Sequence, residues 1–211
     1  MKNECIYQSA LLKEKKEIVH GFGNADLLIS DKTFSSFFIP HTKQIHSDII
    51  VSLDEQKSEM YTADAFVSTE KNVLCFVRTA DCVPILLYDS KQNHVAAVHA
   101  GWRGTEQEIL KKTVMYLQKN YKTKPQDLLA VIGPCICKTH YEVGSELASR
   151  FSETGTHLDL AQINKQQLLH AGVGENNIDV VHICTFEDER LASYRKNKTE
   201  KRQVSFIARL R

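Results

Sequence analysis

Two short segments bring thiol, imidazole and guanidinium groups close to glycine: Thr79-Ala80-Asp81-Cys82 and His99-Ala100-Gly101-Trp102-Arg103-Gly104. Thiolate and imidazole are donors that zinc prefers, and two histidines with one thiolate leave a fourth position open for water. Either residue alone has an ordinary reading, Cys82 as a small apolar side chain and His99 as a structural histidine. Together, at the ends of neighbouring strands, they point to a metal centre. A third donor must come from elsewhere. His46, in Gln44-Ile45-His46-Ser47, is one candidate, and His41 five residues earlier competes with it. Asp81 is the candidate for moving a proton, or for orienting the loop beside Cys82. Arg103 and Arg195 are candidates for holding an anion, because a guanidinium grips phosphate through paired hydrogen bonds. Each could equally be a structural ion-pair partner. Gly101 and Gly104 permit a tight backbone beside these groups.

A second group of soft donors occurs in Cys135-Ile136-Cys137-Lys138-Thr139-His140. Its spacing is not that of a zinc finger, so core and loop packing after Gly133-Pro134 is the preferred reading. Cys184 reads as core. The basic stretch Arg195-Lys196-Asn197-Lys198-Thr199-Glu200-Lys201-Arg202 reads as a solvated loop or as a rim that steers anions.

The elements that must position these residues are short buried strands and amphipathic helices. Val73–Val77, Val83–Tyr88 and His94–His99 are apolar runs bounded by polar turns, as in strands covered on both faces. Asp89-Ser90-Lys91-Gln92-Asn93 predicts a hairpin between the last two. Thr105-Glu106-Gln107-Glu108 has the form of a capping box, a hydroxyl followed three residues later by glutamate, and opens a helix carrying Leu110, Val114, Leu117 and Tyr121. Leu128–Ile132 is another strand. Val143, Leu147 and Phe151 mark a short helix. Leu160, Ile163, Leu168 and Ala171 mark another, closed by Gly172. Ile178–Val181 and Val204–Ile207 are the last strands. The fold class is α/β with a mixed sheet.

Bulk properties exclude several classes. The 211 residues fit a single domain over 1–211. Lys plus Arg (27) nearly cancel Asp plus Glu (26), so no global field attracts nucleic acid or an anionic membrane. No segment reaches the ~20 apolar residues of a membrane helix, and the N-terminus lacks a signal peptide's apolar core. Six scattered cysteines, with no export signal, read as reduced thiols in the cytoplasm.

The motifs also resemble those of a known family. His99–Gly104 with Thr79-Ala80-Asp81-Cys82-Val83-Pro84 is similar to the signature of the YfiH/YlmD family, also called the laccase-domain or multicopper polyphenol oxidoreductase family. Gln44-Ile45-His46, Ala63-Asp64-Ala65, Ile132-Gly133-Pro134 with Tyr141-Glu142-Val143, Cys184-Thr185 and Ser193-Tyr194-Arg195 resemble its other blocks, in order. The resemblance implies metal ligation by His46, Cys82 and His99, and so prefers His46 to His41. It implies a three-layer α/β/α arrangement like that of certain cysteine hydrolases. It also implies a zinc-dependent purine nucleoside enzyme that phosphorolyses adenosine, inosine and methylthioadenosine and deaminates adenosine. The partners would be a small-molecule nucleoside and phosphate, and the chain a monomer or weak homo-oligomer. Some members of the family are instead described as copper-dependent polyphenol oxidases. Two segments depart from the family: His20–Asp26 keeps only the opening of a longer block, and Thr199-Glu200-Lys201-Arg202 lacks the usual glycine.

Two further readings remain. A metal-free cysteine hydrolase would use Cys82 as nucleophile and His99 as base. A binding module would need no open metal position at all. Against a full multicopper array, nine histidines form only two close pairs, His41/His46 and His94/His99.

Overall fold

The computed structural model describes residues 5–27, 29, 32–54, 60–152 and 154–210. Strand β1 (Cys5–Tyr7), helix α1 (Ala10–Lys13) and strand β2 (Ile18–Gly23) come first. The short strands β3 (Thr42–Lys43), β4 (Ile50–Ser52) and β5 (Tyr61–Thr62) lead into β6 (Ala65–Ser68), β7 (Leu74–Thr79), β8 (Val83–Asp89) and β9 (Val95–Ala100). Helices α2 (Trp102–Glu106) and α3 (Ile109–Tyr121) precede β10 (Leu128–Ile132). The chain ends with α4 (Ser145–Ser149), α5 (Leu160–His170), β11 (Ile178–Val180), α6 (Tyr194–Asn197) and β12 (Gln203–Arg209).

The strands form a six-stranded mixed sheet, β11-β10-β8-β9-β6-β4, and a four-stranded antiparallel sheet, β1-β2-β12-β7. A two-stranded pair, β3-β5, stands apart. Period-two alternation explains why the central runs are wholly apolar. On β8, Ile85 and Leu87 enter the core beneath the helices, while Leu86 and Tyr88 enter the core between the sheets. Leu128, Ala130 and Ile132 of β10 likewise face the helices, and Leu129 and Val131 face the other sheet. Every second side chain thus meets a different layer, and neither face tolerates charge.

The mixed α/β class expected from the sequence is what the chain adopts. The layers run helices, six-stranded sheet, four-stranded sheet, so the third layer is largely β rather than α. Its outer face is covered by a loop that contributes Leu27 and Phe34 to a third apolar cluster. The β8–β9 hairpin forms as expected, with Pro84 opposite His99. Gly172 follows α5 with φ +90°, a conformation glycine adopts without a side-chain penalty.

Two local expectations fail. Thr105 does not cap a helix: it lies buried within α2, and its hydroxyl accepts a hydrogen bond from Asn164 Nδ2 at 3.0 Å. The residue before α3 is Glu108, in a left-handed conformation, with its side chain on Lys111 instead of the helix N–H groups. Strand β2 was not foreseen, because Ile18-Val19-His20-Gly21-Phe22-Gly23 is short and interrupted by glycine. Among the described residues no helix is long and apolar enough to cross a membrane.

Candidate functional site

Strand alternation sets His99 on the same face as Val95 and Ala97, which lie in the core between the sheets. It is the penultimate residue of β9, so its ring stands at the end of that core. Cys82 sits in the connection from β7 in one sheet to β8 in the other. A chain crossing between sheets has to turn there, and the turn delivers the thiol to the same end. His46 arrives from the loop after β3. The donor atoms of His46, Cys82 and His99 all lie within 4.8 Å of one another. His41 does not join them.

Asp64 organises this triad, and the sequence reading missed its part. It is fully buried, and its carboxylate accepts five hydrogen bonds. Three come from the backbone N–H groups of Ile45, His46 and Ser47, at 3.2, 3.0 and 2.6 Å. A fourth comes from the Ser47 hydroxyl at 2.8 Å, and the fifth joins Oδ1 to His99 Nδ1 at 2.7 Å. An ionised carboxylate survives burial only when so many donors replace water. Burial alone would raise its pKa, but the His99 ring and the Ser47 donors outweigh that and bring it down to about 2. The backbone donors also hold His46 at φ +58°, a left-handed conformation a histidine seldom adopts. With its Nδ1 committed to Asp64, His99 presents Nε2 to the site, the arrangement that commonly fixes a metal-binding histidine.

The thiol is equally prepared. Burial would raise the Cys82 pKa, yet hydrogen bonds and charge from His46 and His99 bring it down to about 6. Burial would lower His99, and Asp64 and Cys82 instead lift it to about 9. Gly101 leaves the room these groups need. A Cβ there would lie 3.0 Å from Cys82 Sγ and 3.2 Å from His46 Cδ2. One at Gly104 would lie 3.0 Å from the Ser47 carbonyl oxygen, beside His46. Gln44 ties the same loop to β7, its side-chain amide exchanging two hydrogen bonds with the Arg78 backbone at 2.9 and 2.8 Å.

The triad lies in a cavity of about 650 Å³ whose lining, among the described residues, includes five cations, Arg78, Arg103, Arg195, Lys198 and Arg202, and a single acid, Asp81. Three aromatic residues, Trp102, Tyr141 and Tyr194, also line it. Arg103 is exposed, with its guanidinium 4.1 Å from the Trp102 ring centre. Arg195 donates from Nη1 to the Glu142 carbonyl at 2.7 Å and lies 5.2 Å from the Tyr141 ring centre. Asp81 accepts from the Thr185 hydroxyl and the Arg195 backbone N–H, both at 2.7 Å. Each of its oxygens therefore already ties a loop to the cavity wall. The basic C-terminal stretch is a rim of this cavity, through Arg195, Lys198 and Arg202.

The donor set fits a metal ion in chemistry and in spacing, with an open side toward the cavity. A family profile described as multi-copper polyphenol oxidoreductase laccase matches residues 21–210. The chain belongs to this family, of which the YfiH proteins are members. The chain is 36% identical over 197 residues to a purine nucleoside phosphorylase of Clostridium acetobutylicum, covering 88% of this chain and 83% of the relative. It is 34% identical over 179 residues to the Escherichia coli purine nucleoside phosphorylase YfiH, covering 78% and 71%. The crystal structure of YlmD from Geobacillus stearothermophilus superimposes with a TM-score of 0.81 over 99% of this chain and 100% of that one, at 24% identity. Family membership accounts for the resemblance of the sequence motifs and for the arrangement of the two sheets.

Proposed function

We propose that this chain is a metal-dependent purine nucleoside phosphorylase, with His46, Cys82 and His99 as the metal ligands. Adenosine, inosine and methylthioadenosine are the substrates proposed, zinc the ion, adenosine deamination a second activity of the same site, and the cytoplasm its compartment. The observation that carries this reading is the junction of a preset His/Cys/His triad with a cation-lined cavity large enough for a nucleoside. A zinc ion held there supplies Lewis acidity next to the bound substrate.

The chain's own groups account for the rest. In phosphorolysis a phosphate oxygen bonds to C1′ as the C1′–N9 bond breaks, and the departing base takes up a proton. Arg103 and Arg195 bind and orient the phosphate, and the other rim cations raise its local concentration. Trp102, Tyr141 and Tyr194 offer flat faces for the purine. Asp81 holds the loops that carry Thr185 and Arg195, a positioning role, because both its oxygens are already engaged. Asp64 keeps the His99 tautomer and the His46 backbone in place.

Product analysis tests the reading. Metal-quantified protein is incubated with adenosine, with and without inorganic phosphate. Adenine and ribose 1-phosphate, formed only with phosphate, are expected; inosine marks the deaminase activity. Phenol oxidation that depends on copper, with no turnover of nucleosides, would establish the copper polyphenol oxidase alternative instead.

A further inference from the structure

Away from the cavity triad, two pairs of side chains that the sequence places far apart converge. The donor atoms of Cys137, His140, Cys184 and Glu187 all lie within 4.8 Å of one another. Cys137 Sγ is 3.2 Å from His140 Nδ1, Cys184 Sγ is 3.8 Å from the same nitrogen, and Glu187 Oε1 is 3.4 Å from it. Each pair is spaced three residues apart, Cys137 with His140 and Cys184 with Glu187, so a single turn of chain aims both members of a pair at one point. The turns are locked together by a parallel bridge between Cys135 and Cys184, with the Thr185 N–H donating to the Cys135 carbonyl at 3.0 Å. The Cys137 N–H points at Cys184 Sγ at 3.2 Å, a donor suited to a thiolate. The His140 ring stacks on Phe186 with centres 4.3 Å apart and planes 12° apart, which fixes its orientation.

We infer that these four residues form a second metal site, for a zinc-type divalent ion. Two thiolates, one imidazole and a carboxylate that water can replace make a tetrahedral set of soft and borderline donors. Glu187 is exposed and a cavity of about 200 Å³ borders Cys137 and Cys184, so the ion has a route in from solvent. Binding displaces the two thiol protons to solvent. The site is structural. It pins the segment that leads to Tyr141 against the turn that leads to Thr185, and both of those residues meet the main cavity or its Asp81. The sequence spacing concealed it, because the second half of the donor set lies 44 residues beyond His140.

Metal counting on the reduced full-length protein tests the site. Stripped with chelator and reloaded, the native chain is expected to hold two zinc ions. His46→Ala is expected to hold one, and Cys137→Ser/Cys184→Ser also one. In their cobalt(II) forms, His46→Ala should show about twice the thiolate-to-cobalt absorption of the double serine variant, since two thiolates face one. His46→Ala carries the test alone if the serine variant fails to fold, because it leaves the second cluster untouched. A His46→Ala protein that binds neither zinc nor cobalt overturns the inference. So does a folded double serine variant that still holds two ions.

Discussion

Asp64 Oδ1 stands 2.7 Å from His99 Nδ1, and the same carboxylate accepts the backbone N–H of His46 at 3.0 Å. One buried group therefore sets the ring of one proposed ligand and the backbone of another. Asp64→Asn keeps the shape but loses the charge and turns a donor toward N–H groups that need an acceptor. A loss of metal affinity of roughly 10- to 100-fold is expected, the usual scale for removing a histidine's orienting partner. Competition with a metallochromic chelator measures it. Unchanged affinity would assign Asp64 to folding alone.

Gly101→Ala tests the spacing at the site. The new methyl would stand 3.0 Å from Cys82 Sγ, tighter than ordinary packing allows, and the nearest atoms belong to the triad. Metal content should fall, with the thermal unfolding midpoint of the metal-free protein changing little. A fully loaded Gly101→Ala protein would mean that Cys82 and His46 have slack.

Arg103 is exposed and rests on Trp102, so its removal should spare the fold. Arg103→Ala is expected to raise the KM for phosphate about tenfold, the value of one charge-assisted hydrogen bond of ~1.4 kcal/mol. The effect should shrink as salt screens the rim. Steady-state kinetics at varied phosphate and ionic strength check this.

His20 supplies a pH dependence remote from the triad. It is buried on β2, and burial takes its pKa from 6.5 down to about 4, a hydrogen bond with the Ser9 backbone opposing. The unfolded chain takes up this proton near pH 6.5 and the folded chain only near 4, so stability falls as pH drops through that window. The full shift corresponds to about 3 kcal/mol. Urea unfolding of native protein and His20→Asn at pH 7, 5 and 4 should show the native chain losing more. Parallel losses would remove His20 as the cause.

Part of the site was legible because His99 lies on a regular element and Cys82 lies directly before one. The β8–β9 hairpin could be read from two apolar runs and a polar turn, and it brings Pro84 and His99 opposite each other. The third donor could not be read that way. His46 sits in a loop whose left-handed backbone depends on Asp64, eighteen residues on, and period-two or helical spacing carries no trace of such a contact. Asp64 entered the sequence only as the middle of the Ala63-Asp64-Ala65 block, and only burial with five donors reveals its role. Thr105 misled for a related reason: Asn164, distant in sequence, took the hydroxyl that a capping box would have used. The second sheet was partly hidden as well, since β2 and β12 belong to opposite ends of the chain.

The central claim is that nucleoside turnover needs the metal held by Cys82 and its two histidines. The most direct measurement is adenosine phosphorolysis by Cys82→Ala beside native protein, with the metal in each sample quantified. The expected result is loss of the triad's ion together with at least a hundredfold fall in turnover, as follows from removing a Lewis acid worth several kcal/mol. Native turnover by Cys82→Ala, with no metal bound at the triad, would contradict it.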